Sequence, residues 1–316
     1  MEFRHALVTG GGGFLGSHLV KRLLDGGAHV TVLDNWSTGR IENLASVSGN
    51  SDLSIMTGDV SDRLPDVDAD IVFNMACPAS PPDYQADPIG TMRTCVLGTI
   101  NVMEWSKARG ARIVHASTSE IYGDPLHHPQ REEHWGNVNP IGPRACYDEG
   151  KRAAEAVIFD YKRLYKTDAR VMRIFNTYGP AMRAEDGRVV SNFIVQALSG
   201  HPLTIYGDGS QTRSFCYVDD LIAGISALGE IDKQIDMPVN IGNPSEFTIK
   251  ELALTVIRQV GSSSTINYSD LPIDDPVRRQ PDITLAKSLL GWNPTTPLEV
   301  GLADTIRYFR DQQAIA

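Results

Sequence analysis

Apolar positions recur along this chain with two different periods, and the alternation of those periods sets the reading. Residues 4–10 (R-H-A-L-V-T-G) form a short apolar run of strand length. Residues 14–25 then carry Phe14, Leu15, Leu19, Leu23 and Leu24 at helical spacing, and residues 29–34 (H-V-T-V-L-D) return to a strand pattern. Strand, glycine-rich turn, helix and strand make a βαβ unit, which implies a parallel sheet. The rhythm continues with strands predicted near 53–57, 70–75, 112–117 and 169–175. Helices are predicted near 88–109 and 145–166. The expected fold class is α/β, a Rossmann-type doubly wound parallel sheet.

The rhythm changes after about residue 178. Short strands (203–206, 239–242) mix with helices near 189–199, 218–228, 248–260 and 298–312, and proline becomes denser over 272–297. The expected organisation is a dinucleotide-binding domain over residues 1–178 and a smaller mixed α/β substrate lobe over 179–316. Residues 214–242 are placed to complete the main sheet. No internal repeat, low-complexity tract, signal segment or transmembrane segment is read from the pattern.

Composition narrows the function. The chain has 316 residues, 41% hydrophobic, enough for a sizeable core. The formal net charge of -10 argues against a general nucleic-acid binder. The four cysteines, Cys77, Cys95, Cys146 and Cys216, show no C-x-x-C or metal spacing. They read as reduced thiols of a cytoplasmic protein. His127 and His128 lack an acid or cysteine at ligand spacing, so they read as loop histidines and no metal is expected.

The glycine turn carries the first chemistry. Gly11-x-Gly13-x-x-Gly16 matches the dinucleotide fingerprint, and Gly10, Gly13 and Gly16 match its three-residue-spaced variant. Such a turn lets the backbone approach a pyrophosphate at a helix N-terminus. Asp34 ends the next strand, where a carboxylate accepts from ribose hydroxyls and repels a 2′-phosphate. NAD is therefore the expected cofactor, with Arg40 nearby as the one feature pointing toward NADP. Asp59, after the third strand, is a candidate adenine contact or an ordinary turn aspartate.

The second chemistry lies in residues 139–152 (N-P-I-G-P-R-A-C-Y-D-E-G-K-R). Tyr147 and Lys151 are four apart, so they share a helix face. A free phenol is a poor base at neutral pH, and a nearby ammonium favours its ionised form. The pair reads either as a general base for a hydroxyl whose carbon loses hydride or, since Y-x-x-x-K is common, as a coincidental tyrosine and lysine on an exposed helix. Thr118 and Glu120, at the carboxyl end of the 112–117 strand, fall where ligands of such sheets bind. Thr118 is a hydrogen-bond partner for the reacting oxygen and Glu120 a candidate acid or base.

Together these stretches resemble the extended short-chain dehydrogenases/reductases, and more narrowly the UDP-glucuronate decarboxylases (UDP-xylose synthases). The resemblance runs from the glycine turn to about Phe309. It is carried by residues 117–125 (S-T-S-E-I-Y-G-D-P), 139–152, 173–180 (R-I-F-N-T-Y-G-P), 186–194 (D-G-R-V-V-S-N-F-I), 206–215 (Y-G-D-G-S-Q-T-R-S-F) and 278–283 (R-R-Q-P-D-I). It implies a catalytic set of Thr118, Glu120, Tyr147, Lys151 and Arg279, with Arg279 facing the substrate carboxylate. For the cofactor it implies Gly10, Gly13, Phe14, Leu15 and Gly16 at the turn, and Asp34, Asn35, Ser37, Thr38 and Gly39 after the second strand. Asp59, Val60, Ala76, Thr94, Ser117, Tyr147, Lys151 and Thr177 complete that set. For a UDP-sugar substrate it implies Tyr84, Glu120, Asn176, Arg188, Val189, Tyr206, Gln211, Arg213, Tyr217 and Arg279. It also implies a homodimer formed through the two long helices. Two positions depart from the family pattern. Ala181 stands where arginine is usual, with Arg183 two residues on, and Cys77 stands where serine is common.

The implied reaction oxidises the sugar at C4, loses carbon dioxide from the resulting β-keto acid and re-reduces C4, so NAD is reused. A 4,6-dehydratase, a 4-epimerase and an oxidative decarboxylase releasing the 4-keto pentose are the competing enzymes. Ser119 argues against the first, and the Glu120–Arg279 pairing against the second. A non-catalytic NAD-binding protein is a further alternative, opposed by the intact Thr118–Tyr147–Lys151 set.

Overall fold

The structure is a computed structural model, and it describes residues 3–271 and 278–315. Part of the proline-dense 272–297 stretch, residues 272–277, lies outside the described residues. The first half lays down β1 (His5–Thr9), α1 (Phe14–Asp25), β2 (His29–Asp34), β3 (Leu53–Thr57) and β4 (Ile71–Asn74). Two short helices come next, α2 (Pro81–Ala86) and α3 (Pro88–Arg93). Then come α4 (Thr99–Arg109), β5 (Arg112–Thr118), α5 (Ala145–Tyr165), β6 (Ala169–Ile174) and the two-residue β7 (Thr177–Tyr178). The second half carries α6 (Val189–Leu198), β8 (Leu203–Tyr206), β9 (Thr212–Ser214), β10 (Cys216–Tyr217), α7 (Val218–Glu230), β11 (Val239–Ile241) and β12 (Glu246–Thr248). It ends with α8 (Ile249–Val260), β13 (Ile266–Ser269), β14 (Arg278–Arg279), α9 (Thr284–Leu290) and α10 (Leu298–Ile315).

The main sheet has seven strands in the order β11-β6-β5-β4-β1-β2-β3, all parallel. The chain reverses direction of travel between β1 and β4, which is where doubly wound sheets open a ligand crevice. The period of two decides which residues go to which face. Ala6, Val8, Val30, Val32, Ile71 and Phe73 enter one core with α1 and α7. Leu7, Leu33, Val72, Ile113 and Val171 enter the other, under Val102 and Met103 of α4 and Ile158 of α5. The seventh strand, β11, falls inside residues 214–242 and pairs with β6 through Val239, Asn240 and Ile241.

The helix predicted over 88–109 is interrupted. Between α3 and α4 the residues Thr94–Gly98 form one π-helical turn. A π turn inserts a residue into the helical ladder and rotates the next turns about the axis, without changing the apolar spacing enough to be read in sequence. The remaining strands form three small sheets, β10-β7, β12-β9-β14 and β13-β8, around the mouth of the crevice.

Candidate active site

The crevice is a cavity of about 1040 Å³ running from the glycine turn to the small sheets. At one end, Gly10 adopts φ +69°, and a Cβ on Gly16 would lie 2.1 Å from the Gly10 carbonyl oxygen. The turn can therefore close only without side chains there. Gly13 caps α1 with no side-chain hydrogen bond and no acid in the first turn. The N-terminal amides of α1 are thus left to an anion, which suits a pyrophosphate.

Asp34 is buried and accepts from Gly12 N and Trp36 N, one on each carboxylate oxygen, both at 2.8 Å. It holds the turn as well as lining the cavity. Arg40 pairs with Glu185 at 3.3 Å, which occupies the cation that pointed toward NADP. Asn35 donates to Asp59 at 2.7 Å, and Ser37 N donates to Asn35. Burial opposes ionisation of Asp59, but hydrogen bonds from Ser61 and Asn35 outweigh it and lower its pKa.

The reactive end is built by β5, α5 and the small sheets. Thr118 ends β5 and caps a 3-10 turn (Ser119–Tyr122), accepting the Glu120 N–H at 3.2 Å. Tyr122 pins that turn by donating to Asn240 at 2.8 Å. The Thr118 side chain favours the ionised form of the Tyr147 phenol. Lys151 donates to the Ala116 carbonyl at 2.8 Å, and its Nζ lies 5.9 Å from the Tyr147 ring centre. The ring of Tyr84, from α2, stacks on Tyr147 with centroids 5.1 Å apart and planes 6° apart.

Glu120 is gripped by two arginines. Arg279 Nη1 donates to Oε1 at 2.6 Å, and Arg144 Nη2 to Oε2 at 2.5 Å. Burial alone would raise the Glu120 pKa, but the two guanidinium charges outweigh it and hold the carboxyl at about 2. Glu120 is therefore a carboxylate at neutral pH, which removes the role of resting acid and leaves that of base or hydrogen-bond acceptor. Arg279 also donates to Asn176 at 3.2 Å, while its Nη2 is buried without a hydrogen-bond partner among the described residues, as is the Tyr84 hydroxyl. Both residues line the cavity, and their donors suit an anionic, oxygen-rich ligand. The parallel pairing of β14 with β9 sets Arg279 in register with Arg213.

The Tyr147 phenol departs from the expectation drawn from Lys151. Burial, with Cys77 and Glu120 adding to it, pushes its pKa well above the usual value, and the Thr118 side chain only partly offsets this. The ammonium four residues on is legible in the sequence; the depth of burial is not. A second cation beside the ring, such as oxidised nicotinamide, is what the base function needs.

Of the residues that the resemblance assigns to catalysis, cofactor or substrate, two lie outside the cavity lining. Tyr217 is buried against Tyr178, with ring centres 5.7 Å apart, and its hydroxyl reaches Asp304. Gly39 packs behind Asp34, where a Cβ would lie 2.8 Å from Oδ2. Every other one lines the cavity, from Gly10, Phe14, Leu15 and Thr38 through Val60, Ala76, Thr94 and Ser117 to Asn176, Thr177, Arg188, Val189, Tyr206 and Gln211. Ser117 spends its hydroxyl on Glu155. Arg188 sits ahead of α6, 3.4 Å from Asp186. Arg144 belongs to the 139–152 motif but has no role there from sequence alone, because nothing in local spacing points its side chain at Glu120. Cys77 lines the cavity with its Sγ 3.3 Å from Cys95 Sγ. The Cys95 thiol and Lys151 draw the Cys77 pKa down to about 7, against burial. Ala181 takes φ +69°, and Arg183 lines the cavity bound to Asp83. His127 stacks on His134, and His128 lies 3.2 Å from Glu246.

A family model described as the NAD dependent epimerase/dehydratase family matches residues 6–242. The chain belongs to this family. Among its relatives, UDP-glucuronic acid decarboxylase 1 of Xenopus tropicalis is 50% identical over 309 residues, covering 98% of this chain and 73% of the relative. UDP-glucuronic acid decarboxylase 1 of Arabidopsis thaliana is 49% identical over 306 residues, covering 97% and 70%. Among solved members of the family, UDP-glucuronic acid 4-epimerase from Bacillus cereus, in complex with UDP-glucuronic acid and NAD, superposes with a TM-score of 0.88. It is 28% identical and covers 98% of this chain and 99% of its own. The family's cofactor is NAD, and the glycine turn, the crevice at the sheet reversal and the open N-terminus of α1 suit such a dinucleotide.

Proposed function

We propose that the chain is an NAD-dependent decarboxylase that converts UDP-glucuronate to UDP-xylose and carbon dioxide. The observation that carries the reading is Arg279. It sits beside the Thr118–Tyr147–Lys151 set with one nitrogen on Glu120 and a second buried and unpartnered among the described residues. A planar fork in that position suits a carboxylate. Sequence identity near one half to decarboxylases over almost the whole chain supports the same reading.

NAD, when bound, accepts a hydride from the sugar C4 and returns it at the end. Tyr147 takes the proton of the C4 hydroxyl, with Lys151 behind it and Thr118 bonded to the same oxygen. The ketone so formed lies β to the C6 carboxylate. Loss of carbon dioxide moves the bonding pair into an enolate at the C4 oxygen, and Tyr147, now protonated, donates to it together with Thr118. The burial that raises the Tyr147 pKa suits that second task. C5 takes up one proton from bulk solvent, relayed by a water that donates to Glu120, so no hydroxide is left behind. Arg213 and Arg188 neutralise the diphosphate, which reconciles an acidic chain with an anionic substrate. The division between a cofactor domain over 1–178 and a substrate lobe over 179–316 belongs to the same proposal.

The test is incubation with UDP-glucuronate and catalytic NAD, read out by proton NMR of the sugar and by NADH absorbance. UDP-xylose without lasting NADH is expected. A second reading, 4-epimerisation of UDP-glucuronate, is favoured by the Bacillus cereus relative; it predicts UDP-galacturonate and no carbon dioxide. Stoichiometric NADH with a 4-keto pentose would mean that the intermediate is released before reduction.

A homodimer through α4 and α5 is proposed as well, supported by Leu97, Ala156 and Leu164, which are exposed on those helices and the turn before α4. A cytoplasmic location is proposed from the four free thiols. No helix among the described residues is long and apolar enough to cross a membrane.

A further inference from the structure

The two arginines on Glu120 come from different parts of the chain and are not equivalent. Arg279 lies on β14, at the edge of a three-stranded sheet of the second half. It divides its donors between Glu120 Oε1 and Asn176, and its Nη2 is buried and unpartnered among the described residues. Arg279 also lines the cavity, so an anion entering there would share its guanidinium with Glu120. Arg144 immediately precedes α5, is only 9% exposed, and holds the other oxygen, Oε2.

We propose that Arg144 is a positioning residue that keeps Glu120 ionised and oriented while Arg279 is engaged by a substrate carboxylate. The identity of that carboxylate rests on the decarboxylase reading above; the Arg144–Glu120 contact does not. Two carboxylates sharing one guanidinium favour protonation of one of them. A second guanidinium gives each its own counter-ion.

The surroundings of Glu120 make the second cation necessary. Arg279 faces it from β14, and Arg144 from the start of α5. Tyr147 and Asp148 face it from α5, Tyr84 from α2, and Thr118 from the end of β5. Only the two arginines among these are cations. Asp148 is a second buried carboxyl, pushed up to about 7 by burial and by Glu120 itself. Without Arg144, Glu120 would face Asp148 and a ligand carboxylate with one shared guanidinium. It would then take up a proton and become a donor, reversing the orientation of any water it holds.

The experiment compares NAD-loaded wild type, Arg144→Gln and Arg144→Lys, each checked for a cooperative melting curve. Glutamate is labelled with 13C at the side-chain carboxyl, and the Glu120 signal is assigned by its loss in Glu120→Gln. It is titrated with and without UDP-glucuronate. The Arg144→Gln change is expected to move the Glu120 titration upward by about one pH unit or more, most with ligand present. The acid limb of kcat against pH should move with it, while KM for UDP-glucuronate changes less than kcat. Arg144→Lys, which keeps the charge, should fall between and serves alone if the glutamine variant does not fold. A Glu120 titration unmoved in both variants overturns the proposal. The titration needs no turnover. Failure of wild type to convert UDP-glucuronate would sink the functional reading and leave the Arg144 test standing.

Discussion

In the proposed reaction Tyr147 accepts a proton at one moment and donates it at another, and its surroundings favour the second. Burial, Cys77 and Glu120 all disfavour the phenolate. Replacing Tyr147 with Phe removes the hydroxyl proposed to do both. Turnover is expected to fall by roughly 10²–10⁴-fold, with NAD still retained on gel filtration. Undiminished turnover would remove Tyr147 from the mechanism. Its neighbour Asp148 supplies a pH prediction. The Asp148 carboxyl is pushed up to about 7 by burial first and by Glu120 second, and its Oδ1 has no hydrogen-bond partner. Its folded pKa lies above the unfolded value. Its contribution to stability is therefore fully present below about pH 4 and is lost as pH rises through about 7. Asp148→Asn should raise the melting temperature by roughly 2–4 °C at about pH 8, the shift that ~1 kcal/mol produces in a domain of this kind, with little gain near pH 4. Equal gains at both pH values would show that the residue does not titrate as its surroundings dictate.

Helix α5 joins the site to the sheet through Glu155, one turn beyond Lys151. Arg173 of β6 donates to Glu155 through Nε at 3.0 Å and Nη2 at 2.8 Å, and through Nη1 to the Tyr122 hydroxyl at 2.9 Å. Both partners of this pair are buried. Removing one leaves the other charge uncompensated, so Arg173→Met is expected to cost about 3–5 kcal/mol in urea unfolding, and the Arg173→Met/Glu155→Leu double variant less than the sum. A cost near zero would make the pair incidental. This network also marks where sequence reading stops. The strands of the main sheet and the long helices repeat at periods of two and 3.6, which adjacent residues display by themselves. The Tyr147–Lys151 pair is a helix repeat and is legible for the same reason. Arg144 meeting Glu120, Arg173 meeting Glu155 and Arg279 falling level with Arg213 depend on strand register and on turns that bring distant segments together. Two-residue strands such as β7, β10 and β14 have no period to display. The π-helical turn over Thr94–Gly98 preserves the apolar spacing of a plain helix and so leaves no mark in the sequence. Tyr217, assigned to the substrate by the resemblance, lies outside the cavity lining with its ring against Tyr178, a placement that local spacing does not display.

At the scale of the molecule, one face of the sheet is covered by α1 and α7 and the other by α4 and α5. The outward side of that second layer leaves apolar side chains exposed. Ala156 and Leu164 are exposed on α5, Leu97 is 38% exposed just before α4, and Leu164 is 72% exposed. Small side chains at Ala153 and Ala156 leave room for a second helix to approach closely, and packing of i±3 and i±4 rows against a copy of themselves satisfies two-fold symmetry. Helix α5 also carries Tyr147 and Lys151. A partner bearing on α5 would thus hold the base and its lysine in place from behind. Ala156→Arg places a long cation where the two copies of α5 would meet. Sedimentation velocity is expected to change from dimer to monomer. Turnover should fall together with the loss of dimer and recover as protein concentration is raised. A wild-type chain that sediments as a monomer at micromolar concentration would overturn the dimer directly. A dimeric Ala156→Arg variant would move the interface to another face. Monomers with full turnover would show that α5 is held by its own core alone, through Ile158 and the Glu155–Arg173 pair, and that the active site is complete within one chain.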